Sequence, residues 1–167
     1  MLSLLHDTAR GLMHRKNLDE LLYDIVAKAC RLFSTEHGYI YLVDEKAMFM
    51  ELKVGSGIYS ALVGVRREPG QGISGTTWQQ GEALIVAEYQ LWPQRNKNQV
   101  FQRVESAMAF PLKAGTRVIG VLGLDYYGKS RRFSEADELA MGRMAELASL
   151  ALDNAQLYEQ TQKEIVD

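Results

Sequence analysis

The spacing of apolar residues changes several times along the chain, and each change marks an element. Leu2, Leu5, Ala9 and Leu12 recur at alternating steps of three and four, a seam too thin for a core and suited to a partner helix. Asn17 then caps a second helix, with Glu20 three residues on as in a capping box. From Leu18, the residues Leu21, Leu22, Ile25, Val26, Ala29, Leu32 and Phe33 trace a broad face that packs on the domain body. GYIYLVDE and MFMELKV, separated by Asp44 to Lys46, predict an antiparallel hairpin, and ALVGV after the Gly55 to Gly57 turn predicts a weaker third strand.

The stretch EPGQGISGTTWQQGE predicts a loop, a brief helix from about Ile73 to Gln80 and a stop at Gly81, after which ALIVAE resumes as a strand. Residues 88 to 105 are polar with interleaved aromatics and no clean period, which predicts a long structured loop. In SAMAFPLKAGTRVIGVLGLDYY two apolar runs are joined by KAGT, and continuous apolarity requires both faces of those strands to be covered. Ser134 caps a last helix, with Asp137 three residues on, running to about Gln160. Its expected apolar face is Leu139, Met144, Leu147, Ala148, Ala151 and Leu152. Leu147, Ala151, Asn154, Tyr158, Thr161 and Ile165 also step four, three, four, three, four, the spacing of a coiled coil.

This element order is that of an α+β sheet covered by helices on one face. With 167 residues, 47% hydrophobic and 24% charged, the chain suits one folded domain and not a disordered segment. A formal net charge of -2, with basic clusters no larger than Arg66-Arg67 and Arg131-Arg132, excludes a nucleic-acid footprint. Cys30 is the only cysteine, so there is no disulfide, CxxC pair or cysteine zinc site, and a reducing, cytoplasmic compartment is expected. Asp7 and Arg10 interrupt the opening residues before a signal-peptide core develops, and no run of eighteen apolar residues exists to span a bilayer, so no direct membrane contact is expected.

The tracts GQGISGTTWQQGEALIVAEYQLWPQR, SAMAFPLKAGTRVIGVLGLDYY and RRFSEADELAMGRMAELASLALDNAQLYE together resemble the GAF family across essentially the whole chain. The resemblance implies a central six-stranded antiparallel sheet, N- and C-terminal helices on one face, and a pocket roofed by a short helix and loops on the other. It implies a single domain over residues 1–167, with a dimer helix over 1–16 and a C-terminal helix over 134–167 that exits as a coiled coil toward an effector domain. The implied function is sensory: a small-molecule-binding and dimerising regulatory domain of a signalling protein such as a histidine kinase or nucleotide cyclase, and not an enzyme. The expected partners are an unidentified small molecule, a second copy through the terminal helices and the linked effector. A pure dimerisation linker with a self-filled pocket and a cyclic-nucleotide-binding domain are the alternatives.

Most of the chemical motifs have a plainer structural explanation. Gly70, Gly72 and Gly75 satisfy GxGxxG, but RREP precedes them where a buried strand should end, so they are expected to shape a turn, with amides still able to hold an anion. Some GAF relatives bind cyclic nucleotides through an Asn-Lys pair followed by Phe-x-x-x-Asp-Glu. Phe133, Asp137 and Glu138 match the second half, the pair is missing, and FSEADE equally suits a helix start. Bilin-binding and methionine-sulfoxide-reducing relatives need pocket cysteines, whereas Cys30 sits in a helix beside Ala29. His6, His14 and His37 are too scattered for haem or metal, and no nucleophile–base pair is present, so no catalytic residue, metal or cofactor is expected. What remains is an expected ligand site. Tyr39 and Tyr41 alternate onto one strand face, Trp78, Tyr89, Trp92 and Arg95 lie in the roof segments, and Met108, Gly123 and Asp125 floor the same cavity.

Overall fold

In a computed structural model of the chain, residues 18–128 and 131–166 are described. The seam from Leu2 to Leu12, the cap at Asn17, and His6 and His14 lie outside them, as do the side chains of Tyr158, Thr161 and Ile165. Residues 18–32 form a helix (α1) that ends where Ser34 turns left-handed at φ 54°, letting the Thr35 N–H reach the Cys30 carbonyl at 2.9 Å. His37–Asp44 (β1) and Phe49–Ser56 (β2) make the expected hairpin, followed by a 3-10 segment, Gly57–Leu62, and a two-residue strand, Arg66–Arg67 (β3). The expected strand at ALVGV is therefore corrected. Gly64, at φ 96°, bends the chain there, and Gly64 N–H donates to Leu52 O and Leu52 N–H to Val65 O, both at 2.9 Å, before β3 pairs with β2.

Gly72–Gln80 is a helix (α2) stopped at Gly81, φ 69°, whose N–H closes on the Thr77 carbonyl. Leu84–Val86 (β4) follows, then two 3-10 turns at Tyr89–Leu91 and Gln99–Phe101 within the long loop. Val104–Ala114 (β5) and Arg117–Tyr127 (β6) are the long central hairpin, and Glu135–Val166 (α3) is the exit helix, longer than expected. Its start is a reciprocal capping box: Ser134 N–H donates to Asp137 Oδ2 at 2.7 Å, and Asp137 N–H donates to Ser134 Oγ at 3.2 Å.

The strands form one antiparallel sheet in the order β3-β2-β1-β6-β5-β4. Residues opposite one another share a face. Ile40, Leu122 and Phe110 form one row and face α1 and α3, while Tyr39, Gly123, Ala109 and Leu84 form the next row and face the other way. α1 supplies Leu22, Val26, Ala29 and Cys30 to the helix-side core, the turn after it Phe33, and α3 Met141, Ala145, Ala148 and Leu152. Leu139 and Leu147, expected on that face, are 65% and 68% exposed. A helix lying on a sheet buries a narrow stripe, and Leu147 is six positions, roughly 120° round the helix, from Met141. Leu21 and Leu32 of α1 are exposed for the same reason.

Two cross-links tie the helices to the sheet. The Tyr126 hydroxyl donates to the Phe33 carbonyl at 2.7 Å, and Thr35 Oγ1 donates to the Asp125 carbonyl at 2.5 Å. On α3, an irregularity between Leu112 and Lys113 turns the Lys113 N–H out of the ladder to donate to Ser149 Oγ at 3.0 Å, and the same hydroxyl donates to Ala145 O at 2.7 Å.

Candidate functional site

The face of the sheet away from α1 and α3 is covered by α2, the 57–62 segment and the two 3-10 turns, and its core is aromatic. Tyr39 and Tyr41 are two apart on β1 and so share this face. Their rings meet edge-to-face at 5.3 Å, Tyr59 packs on Tyr39 at 4.4 Å, and Phe101 lies 5.8 Å from Tyr59. The Tyr39 ring has room because Gly123 lies opposite it, where a Cβ would come within 2.1 Å of the ring.

Polarity is concentrated beneath these rings. Asp125, 1% exposed in β6, accepts a short hydrogen bond at Oδ2 from the Tyr59 hydroxyl, and Oδ1 has no partner. Burial outweighs the opposing Tyr59 hydrogen bond and pushes the carboxyl up to about 7. Tyr39 Oη and Thr77 Oγ1 are also buried without a hydrogen bond. Burial raises the Tyr39, Tyr41 and Tyr59 phenols, and lifts Tyr89 to about 12, so all four stay neutral donors at ordinary pH. The enclosed space is a cavity of about 20 Å³ with Tyr39, Tyr41, Tyr59, Arg67, Ser74, Tyr89, Asn96 and Phe101 in its wall. That is room for a single water. A larger concavity of about 780 Å³ at the β1–β2 turn is open and lined by exposed, mutually paired charges such as Arg117 and Glu45.

Of the residues expected from sequence, Tyr39, Tyr41 and Tyr89 line the cavity, and Gly123 and Asp125 lie beneath its rings. Trp78 and Trp92 are half-buried at the rim of the aromatic cluster, Trp92 against Tyr89 at 6.0 Å. Arg95 is not in the wall; its guanidinium donates to the Trp92 carbonyl at 3.1 Å and closes its own loop. Met108, expected on the floor, is corrected: it belongs to the helix-side core, because its neighbours Ala107 and Ala109 take the alternate positions facing the roof. Sequence reasoning missed Tyr59, Arg67, Ser74, Thr77, Asn96 and Phe101. The available signal was Asp125 itself, since a carboxylate inside an apolar strand needs a donor from elsewhere in the fold.

The other motifs resolve structurally. Gly70 N–H donates to Gly75 O at 2.8 Å and Gly75 N–H to Gln71 O at 3.0 Å, so those amides are used within the turn. Phe133 stacks on Tyr126 at 4.3 Å in the helix-side core, and Asp137 serves the cap. His37 Nδ1 accepts from the Ile58 N–H at 3.0 Å, holding the 57–62 segment to β1. Cys30 is buried on the helix side, its thiol 3.5 Å from Ser56 Oγ. Among the described residues no group of three or more His, Cys, Asp or Glu side chains could hold a metal, and no helix is long and apolar enough to cross a membrane.

The GAF domain model matches residues 15–153. The chain belongs to the GAF domain family. Its fold is that of the GAF domain of a phosphoenolpyruvate-protein phosphotransferase from Coxiella burnetii, at 19% identity, covering 96% of each chain with a TM-score of 0.79. The corresponding Acinetobacter domain is 20% identical, covers 93% of this chain and 96% of its own, and gives 0.76. A free methionine-R-sulfoxide reductase from Neisseria meningitidis, solved with its substrate, is 24% identical over 83% of this chain and 80% of its own, at 0.72. At these identities the likeness is one of fold. No curated protein sequence matches. This GAF domain is a sensory or regulatory domain of the kind signalling proteins carry.

Proposed function

We propose that this GAF domain binds a small molecule beneath its roof and relays occupancy through its terminal helices to an attached effector in a cytoplasmic signalling protein. The observation that carries this reading is the set of three buried oxygens, Asp125 Oδ1, Tyr39 Oη and Thr77 Oγ1, left unpaired on one face of the sheet. Each unpaired buried polar group costs about 1–3 kcal/mol, and a ligand offering partners recovers it. Thermal melts of the protein against a metabolite library, followed by Trp92 fluorescence, test the reading. A hit should raise the melting temperature and shift the emission of Trp92, which packs on the wall residue Tyr89.

The self-filled linker is the second reading, favoured by a cavity of only about 20 Å³. It expects no stabilising metabolite and a marked loss of stability in Trp92→Ala. A non-enzymatic role is part of this proposal; Cys30 lies in the helix-side core, across the sheet from the aromatic cluster. Dimerisation is proposed through α3, where Leu147, Leu150, Asn154 and Leu157 step three, four, three along an exposed flank. This stripe shares Leu147 and Asn154 with the expected heptad. Sedimentation should show a dimer that Leu150→Asp dissociates, and a wild-type monomer at high micromolar concentration would remove this part of the proposal.

A further inference from the structure

Tyr59 sits at the centre of the aromatic cluster and in the wall of its cavity. Its hydroxyl is the one hydrogen bond the Asp125 side chain receives, and its ring fills the space between Tyr39 and Phe101. It is delivered by a short 3-10 segment bracketed by Gly57 at φ 62° and Gly64 at φ 96°, and not by a strand or long helix. Yet the fit is incomplete. A phenol offers one proton, while Asp125 Oδ1 and Tyr39 Oη stay unpaired. None of the ion pairs among the described residues involves Asp125.

Resting on the sensory reading above, we infer that Tyr59 is a plug standing in for the ligand, and that Asp125 recognises a primary ammonium group carried on a body of about the size of the Tyr59 side chain. An ammonium has three protons, and three acceptor oxygens lie on this side of the sheet: Asp125 Oδ1 and Oδ2, and Oη of Tyr39, whose ring packs on Tyr59. It also supplies the positive charge that a buried carboxylate lacks, and the faces of Tyr39, Tyr41 and Phe101 favour a cation over a neutral head. An anionic head would be repelled by Asp125, and a hydroxyl would repeat the single donor of Tyr59. Withdrawal of the plug pulls on β1, because the same segment is bonded to His37 through Ile58 and Ser56 Oγ donates to the Glu36 carbonyl.

The test uses Tyr59→Ala, which vacates a benzyl-sized space, titrated calorimetrically with benzylammonium and with benzyl alcohol. Benzylammonium should bind about tenfold tighter or better, and the preference should vanish in Tyr59→Ala/Asp125→Asn. Benzyl alcohol binding equally well, or a preference indifferent to Asp125→Asn, would overturn the ammonium assignment while leaving the pocket a binding site. Absence of binding by either probe at millimolar concentration would mark the Tyr59–Asp125 contact as a structural pair only. Should Tyr59→Ala not fold, the wild-type protein with carbon-13-labelled tyrosine reports the same step. Benzylammonium should shift the Tyr59 ring signals, and Tyr59 signals unmoved by saturating amine overturn the plug. The sensory reading stands or falls separately, on the metabolite melts.

Discussion

Ile40, Leu122 and Phe110 make one row of the helix-side core, and a single residue away along the same three strands Tyr39, Gly123 and Ala109 make a row of the roof side. On the helix side the buried polar groups are matched: Tyr126 Oη has Phe33 O, and Ser106 Oγ has Arg131 O at 2.7 Å. On the roof side three buried oxygens are not. The first face is mostly aliphatic, with Phe110, Tyr126 and Phe133 among its members, and is covered by two helix stripes; the second is richer in aromatic rings and roofed by α2 and turns. Unpaired buried polarity is thus concentrated on the roof side of the sheet. Where the rules of a good core are broken locally, function is the usual reason.

The contrast is broken most directly on the helix side. Leu122→Ala removes a fully buried side chain at the centre of that core and should cost about 3–5 kcal/mol in chemical denaturation, with no gain in affinity for any ligand. Next in size is a pH effect. The Asp125 carboxyl holds its proton up to about pH 7 when folded and releases it near 3.8 when unfolded. Between those values the unfolded chain binds fewer protons, so stability should fall as pH rises from 4 to 7 and level off above, by at most about 4 kcal/mol. Melts across that range should slope downward for wild type and flatten for Asp125→Asn. A flat wild-type profile would show that Asp125 is not held in the neutral form.

Gly123→Ala forces a methyl into the Tyr39 ring and should cost about 1–3 kcal/mol, with a changed near-ultraviolet tyrosine spectrum; an unperturbed spectrum would mean the ring is not packed on Gly123. The finest comparison is a matched pair of hydroxyl deletions. Tyr126→Phe should destabilise by about 1 kcal/mol, because it leaves the Phe33 carbonyl without its donor. Tyr39→Phe deletes an unpaired oxygen and should be neutral or stabilising by up to about 1 kcal/mol. Equal losses in the two would erase the distinction between the faces.

Much of this architecture could be read from residue order. The Ser134–Asp137 box, the stop at Gly81 and both long hairpins follow from local chemistry, and each sits close to its expected position. Met108 could not be assigned to a face, because β5 is apolar on successive positions and a strand covered on both sides carries no period of two. Apolarity alone points Leu139 and Leu147 into the core of α3, but small Ala145 and Ala148 are the residues that bring the helix close to the sheet. Half of the candidate site was visible in Tyr39, Tyr41, Tyr89, Gly123 and Asp125. Tyr59 was hidden because its role depends on a 3-10 segment folding back 66 residues from its partner.

Ser149 gives α3 a fulcrum. Its hydroxyl is held between Lys113 N–H on β5 and Ala145 O on its own helix. Rolling or sliding the helix would break that joint, whereas tilting about it would not. Beyond the joint α3 continues to Val166, a lever arm of roughly 25 Å at the α-helical rise. A tilt of roughly 5° would carry its far end about 2 Å sideways, so a sub-ångström adjustment of the sheet becomes a stroke large enough to re-register a neighbouring helix.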